Sequence, residues 1–420
     1  MYPLKTGAGL LVCLFAMLSL IPSWNATAAE NGYEQLGEYS ASALLKPDLL
    51  QGKYHKVDER VSHDGFLYHF TVQSSFGPYE VASISALTNL VHELSVIAAM
   101  KQVETSDVAL QSLKKSGENT VEGVKNLFTD PEGTLQGAGQ GIGSLFNRAV
   151  ETVGRRELTE TEDSRMKQLV GVTKSKGAIA TRYGVSIYSS NRVLQEELDR
   201  LAMADYLGGL SVGLATSAVP GVGSLVLTTS GTARLLNEAI NTTSASELWL
   251  QNKNKLLAMN MDADTVELFL NNPVFTPGLQ TVLVAALEKL QGAANRELFI
   301  KVGLQASTPD MARVITEMAV MAAGYHQHVA PLAGFTPMAR LVKAGKKDGA
   351  VVVFLSPDYL VWSERVASVA GDMVQQGMAD NAAGFEIWTL GTFSDRTRTA
   401  LKTMGWQIHE QARKDLAPKQ

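Results

Sequence analysis

Ala350-Val351-Val352-Val353-Phe354-Leu355 is uncharged and rich in β-branched side chains. A short run of this kind reads as a strand buried on both faces, as in a parallel sheet. Downstream, Ser363 to Gln376 carries apolar residues at helical spacing. Phe385 to Leu390 reads as a second strand, Ser394 caps a helix to about residue 404, and Trp406 to His409 reads as a third strand. The order β-α-β-α-β over residues 341–412 predicts a small parallel α/β unit. Residues 413–420 read as a polar tail.

Residues 161–340 carry mostly helical patterns. Ser244, Thr276 and Thr308 are hydroxyl caps followed by an acid or a proline, and each predicts a helix start. Asn272-Pro273 and Gly292 separate these helices, an arrangement typical of a bundle. A helix is expected to begin near Arg192, preceded by a short strand at Val185 to Tyr188. Residues 30–103 begin with a β-hairpin: Gly65 to Val72, turn chemistry at Ser75-Phe76-Gly77-Pro78, and a return over Tyr79 to Ser83. Tyr54 to Val61 adds a further strand, and Leu87, Leu90, Val91, Leu94 and Ile97 predict a helix after it. The fold class is α+β, predominantly α-helical, with a β-rich N-terminal unit, a helical bundle body and a small C-terminal β-α-β-α-β unit.

Residues 1–29 read as a cleavable signal peptide. Lys5 supplies the positive start, Gly9 to Leu20 the apolar run, and Ala26-Thr27-Ala28-Ala29 the small residues for cleavage. The chain's single cysteine, Cys13, lies inside that leader. The mature chain then has no disulfides, thiolate nucleophile or cysteine-ligated metal. A disulfide-free exported chain of this size fits a bacterial periplasm or cell envelope. The net charge is −5, with lysines and arginines scattered along the chain. Nucleic-acid binding needs clustered basic residues against phosphates, so that partner class is set aside.

Two stretches contain glycine-rich runs without charge, Gly133 to Asn147 and Tyr206 to Ala233. Within 104–160, Thr120 and Gly123 are echoed by Thr134 and Gly137, and Asp130-Pro131-Glu132 between them predicts a helix start. Gly133, Gly137 and Gly141 share one helical face, which allows close approach of another helix or a membrane surface. Tyr206 to Ala233 carries no charged residue and includes Gly209, Gly213, Pro220, Gly221 and Gly223. It is long enough to cross a bilayer, but its Pro220-Gly221 centre predicts two apolar helices meeting at a turn. This hairpin is either buried core or a membrane-contacting element.

Several patterns carry candidate chemistry. Gly209-Leu210-Ser211-Val212-Gly213 matches the G-x-S-x-G elbow that exposes a nucleophile at a strand-to-helix turn. Asp358 and His409 follow in the order a serine hydrolase would need, but the residues before Ser211 read as helix. The glycines from Gly137 to Gly143 lack the strand and acid of a dinucleotide loop and the lysine of a P-loop, so no cofactor is expected. His326 and His328 are a close histidine pair at the end of a predicted helix, and His63, Asp64, His69 and His92 are the residues that would have to join them in a metal site. The ends of the parallel strands, Ser356 to Asp358 and Gly391 to Ser394, are where a small ligand would bind. The leading expectation is a non-enzymatic periplasmic or cell-envelope protein whose partner is another envelope protein or a membrane surface. A serine hydrolase using Ser211 and a small-ligand-binding protein are the alternatives.

Overall fold

The computed structural model describes residues 32–103, 160–207, 239–338, 341–379 and 381–417. Residues 1–29, expected as a leader, the glycines from Gly133 to Gly143, and Gly209, Ser211, Gly213, Pro220, Gly221 and Gly223 lie outside the described residues. The chain is a mixed α+β protein with several sheets.

The N-terminal sheet is built on β4 (Tyr68–Ser74). β5 (Gly77–Ala82) takes one edge in an antiparallel hairpin closed by Ser75 and Phe76. β2 (His55–Val57) and β3 (Arg60–His63) follow one another along the other edge, and β1 (Tyr39–Ser40) extends the sheet beyond β3. Two one-turn helices, α1 (Ala41–Leu44) and α2 (Pro47–Leu50), join β1 to β2. Along β4, Tyr68, Phe70 and Val72 are buried while His69 and Gln73 are exposed, the period of a half-buried strand. The buried face packs on α3 (Ile84–Lys101), α4 (Glu160–Tyr183) and α5 (Arg192–Tyr206), with Leu87, Leu94, Ile97, Leu194 and Leu198 in the shared core.

α3 and α5 run parallel. Glu93 meets Ser189 and Asn191 at the start of α5, and Lys101 reaches Glu197 further along. α4 runs antiparallel to α5, pairing Lys176 with Asp199 and bringing Gly171 against the Tyr206 ring. The expected strand at Val185 to Tyr188 is a turn instead. Gly184 ends α4 at φ +66°, and the hydroxyls of Ser186 and Ser189 accept from the backbone N–H groups of Tyr188 and Asn191. The Asn241 side chain accepts from the Ile187 N–H and donates to the Val185 carbonyl, so side chains satisfy this backbone without a neighbouring strand.

The second sheet has the order β12-β10-β8-β7-β6. β8 (Val351–Leu355), β10 (Phe385–Thr389) and β12 (Trp406–His409) are parallel. α11 (Glu364–Ala379) and α12 (Asp395–Thr403) make the crossovers. β6 (Leu332–Met338) and β7 (Leu341–Lys346) add an antiparallel hairpin, so the sheet begins inside the stretch read as bundle. Val353, Phe385 and Ile387 pack with Leu401 and Trp406 on one face. Val352, Phe354 and Trp388 face the helices α6 (Ala245–Ala258), α7 (Ala263–Leu270), α8 (Pro277–Lys289), α9 (Leu298–Gly303) and α10 (Pro309–His328). Side-chain caps at Ser244, Asp262, Thr276 and Thr308 start four of these helices, accepting from the N–H three residues on.

The C-terminal segment is not a free polar tail. The N–H of Ala412 donates to the Thr389 carbonyl at 3.0 Å, and Leu416 is buried against Gly324 of α10. A Cβ on Gly324 would lie 2.4 Å from the Leu416 carbonyl oxygen, so glycine is what lets the segment dock. Leu416→Ala should therefore destabilise the chain by about 2–3 kcal/mol, read as a lower urea midpoint at unchanged slope.

Candidate functional site at the carboxyl edge of the parallel strands

β8 is followed by Ser356, Pro357 and Asp358, and β10 by Leu390 and Gly391. The chain beyond each forms a further parallel pair, β9 (Tyr359–Leu360) with β11 (Thr392–Phe393). The two loops touch through Gly391, where a Cβ would lie 2.0 Å from the Pro357 carbonyl oxygen. In open α/β sheets this edge is where ligands bind. Here the chain's own N-terminal residues lie across it.

Asp358 carries the contact. Its carboxylate accepts from the backbone N–H of Tyr68 at 3.1 Å and from that of Ile84 at 3.1 and 3.2 Å. The Asp358 N–H donates to the Phe66 carbonyl at 3.0 Å. One residue before Ile84, Ser83 sits at φ 97°, ψ 149°, a region costing a non-glycine residue of order 1–3 kcal/mol. Its N–H donates to the Tyr68 carbonyl, and its hydroxyl caps α3 by accepting from Ala86, so the joint holds it from both sides.

Glu34 closes the other side. It accepts from the Trp362 N–H at 2.6 Å and from the Ser394 hydroxyl, and its own N–H donates to the Trp362 carbonyl. Ser394 also caps α12 through the Thr397 N–H at 3.0 Å. A carboxylate at a helix N-terminus meets unpaired N–H groups and the positive end of the dipole.

α10 supplies a third wall. Arg313 donates to the Ala82 carbonyl at 3.0 Å, to Asp310 at 3.2 Å and to Glu317 at 3.4 Å. Glu317 in turn accepts from the Ser356 hydroxyl. The Asp64 carboxylate accepts from the N–H groups of Phe66 and Leu67 and pairs with His69 at 3.0 Å. Next to these, the rings of Tyr39, His63, Tyr68 and Tyr359 are packed with centroids 4.7 to 6.3 Å apart.

Burial dominates the electrostatics of Asp358 and pushes its carboxyl up to about 6, against the two N–H bonds and Arg313. His69 is raised by its hydrogen bond to Asp64. Burial works to raise Asp64, but the bonds from His69, Leu67 and Phe66 hold it below its ordinary value. His63 is lowered by desolvation among the tyrosines.

Asp358 and His409 both lie at this edge, but no hydrogen bond joins them. Asp358 clamps two backbone amides, and His409 stacks on Trp388 at 3.9 Å. Ser211 lies outside the described residues, and the chain that leads toward it is the helix α5. Among the described residues no serine, histidine and acid form one hydrogen-bonded series. Ser356 bonds Glu317, and His69 bonds Asp64.

The histidines do not gather. Both ring nitrogens of His326 are engaged, with the Gln291 carbonyl at 3.2 Å and the Leu332 N–H at 3.0 Å, so it tethers the end of α10. His92 bonds the carbonyls of Tyr183 and Gly184. Among the described residues no group of three or more His, Cys, Asp or Glu is placed to hold a metal. Glu34, Arg313 and Glu317 carried no sequence signal, because each acts across the fold. Asp64 could have been found from its turn: an aspartate before Gly65 is a common Asx-turn former.

No protein-family model, curated protein or solved structure matches this chain. The geometry alone gives the edge its reading, as a joint closed by backbone donors and internal carboxylates. Gly391→Ala forces β9 and β11 apart and should lower stability by about 1–3 kcal/mol, read as a lower melting temperature.

Proposed function

We propose that this is an exported, non-enzymatic protein of the bacterial cell envelope that works by contact with a membrane surface. It would be organised as a β-rich N-terminal unit, a helical body and a small α/β unit. The observation that carries the reading is where the two glycine-rich stretches are anchored. The first leaves after α3, beside Arg200, which donates to the carbonyls of Met100 and Val103. It returns at the start of α4. The second leaves after Tyr206, which rests on Gly171 of α4.

Because α3 and α5 run parallel and α4 runs against them, these three helix ends face one way. Glu160 lies about 16 Å beyond Gly171 along α4, at 1.5 Å per residue. Gly133 to Asn147 and Tyr206 to Ala233 contain no charged residue. The end of the layer at Val103, Glu160 and Tyr206 is where the first stretch leaves and returns and where the second leaves, while the chain after the second comes back at Asn241, whose side chain bonds Val185 and Ile187 beyond the other end of α4. Charge-free, glycine-spaced sequence suits close packing in or on a lipid surface. No helix among the described residues is long and apolar enough to cross a membrane, which leaves these stretches as the elements to test.

The test is flotation of the chain from Glu30 onward with phosphatidylcholine–phosphatidylethanolamine vesicles on a density gradient. The chain should rise with the vesicles. A deletion of 208–233 that keeps its far-UV circular dichroism should stay at the bottom. An intact chain that stays at the bottom at every lipid ratio overturns the membrane reading.

A further inference from the structure

Tyr33 and Glu34 lie against the chain just past β9 and β11 without belonging to a strand of either sheet. We propose that this edge is a receptor for an extended acidic segment of a partner protein, and that Tyr33 and Glu34 are a built-in strap that holds it shut.

The strap shows what the edge recognises. Glu34 engages both backbone groups of Trp362, whose N–H donates to its carboxylate at 2.6 Å and whose carbonyl accepts from its N–H at 2.9 Å. The Ser394 hydroxyl donates to the same carboxylate oxygen. Tyr33 packs beside them on the core that Leu360, Trp362 and Phe393 share. A backbone pair, donors for one acid and an apolar seat for the ring before it are the means by which extended peptides are recognised. The charge at the entrance is complementary as well. Arg396, in the first turn of α12, is exposed beside Gly32, where a Cβ would lie 2.8 Å from its guanidinium. Arg398 is already taken by Asp395 and Glu410, whereas Arg396 pairs with no carboxylate among the described residues.

The strap is built to come away. Gln35 to Glu38 are exposed, and Gln35, Leu36 and Gly37 make no hydrogen bond to any described residue. Regular pairing resumes at Tyr39, where β1 joins β3. Lifting the strap therefore breaks the bonds of Glu34 and the packing of Tyr33, and leaves the Asp358 clamp and both sheets in place. An opening on that scale is local and costs less than unfolding. It strips the Trp362 backbone and the Ser394 hydroxyl of their partners, and a foreign segment with the same chemistry replaces them. The short tether from Gln35 to Glu38 keeps the strap at an effective concentration of about millimolar or more, so a partner displaces it only when abundant or held nearby.

The experiment is a fluorescence-anisotropy titration of the chain from Glu30 onward with a fluorescein-labelled peptide of residues 30–37, Glu-Asn-Gly-Tyr-Glu-Gln-Leu-Gly. A chain carrying Tyr33→Ala and Glu34→Ala together, which frees the edge, should bind the peptide about tenfold or more tighter than the intact chain does. Alanine in place of Glu34 in the peptide should weaken that binding about tenfold, through loss of the charge-assisted bonds to Trp362 and Ser394. Added salt should weaken it as well. A freed chain that ignores the peptide even at about millimolar concentration overturns the proposal. So does equal binding by the two chains, or binding indifferent to that glutamate. Light scattering separates a second copy: dimers that the intact chain forms and the freed chain does not would assign the edge to a neighbouring copy's strap and overturn the foreign partner. Hydrogen exchange on the intact chain decides even where the double variant does not fold. The Trp362 amide, which bonds Glu34, should exchange faster than the amides of Val353 and Ile387 in the core beneath it. Equal protection would mean that the strap parts only with unfolding, and would overturn the proposal.

Discussion

A carboxylate clamped between two backbone amides, Asp358 against Tyr68 and Ile84, joins the N-terminal sheet to the strand ends of the parallel sheet. Each partner of that bond would otherwise be a buried polar group without a mate, at about 1–3 kcal/mol apiece. The clamp satisfies them together and thereby fixes where β4 and α3 begin. Ser83, between β5 and α3, is held in a backbone conformation that a serine does not choose freely. Glu34 repeats the device on the other strand end, bonding Trp362 and Ser394 at the start of α12. The edge that open α/β sheets offer to ligands is thus crossed by the chain's own carboxylates and backbone.

The helical layer is set by polar contacts as well as packing. Glu93, buried on α3, accepts from Asn89, Ser189 and Asn191, and Asn191 also caps α5. That network fixes the start of α5 beside the middle of α3. The Lys101–Glu197–Arg200 contacts then carry the parallel alignment to the far end. That alignment places the points where the two glycine-rich stretches leave the layer, after Val103 and after Tyr206, at one end, so a membrane-facing role would depend on side chains far from any membrane.

The readable parts of this fold are those whose signals are local. β8 stood out because a strand buried on both faces needs an uninterrupted apolar run. Ser244, Thr276, Thr308 and Ser394 stood out because a cap is a short-range bond. The hairpin β6–β7 did not. Pro337 and Gly334 lie in β6, where an edge strand tolerates them but a pattern search reads loop. Leu416 looked like part of a polar tail because its partner, Gly324, lies on a distant helix. Val185 to Tyr188 had strand composition, yet the side chains of Asn241 and Ser186 bond its backbone in place of a neighbouring strand. At the candidate site, Asp358 was visible as an acid just past a strand, but its amide partners are more than 270 residues away in sequence. Glu34 had no local signal, since its meaning lies in Trp362 and Ser394.

The central claim, that internal carboxylates close the strand ends, is tested most directly by a double-mutant cycle on Glu34→Ala and Ser394→Ala, followed by urea denaturation. The account predicts a coupling energy of about 0.5–3 kcal/mol, with the double variant less destabilised than the sum of the two single variants. Additive effects would mean that Glu34 and Ser394 do not meet in solution, and would contradict the closed edge.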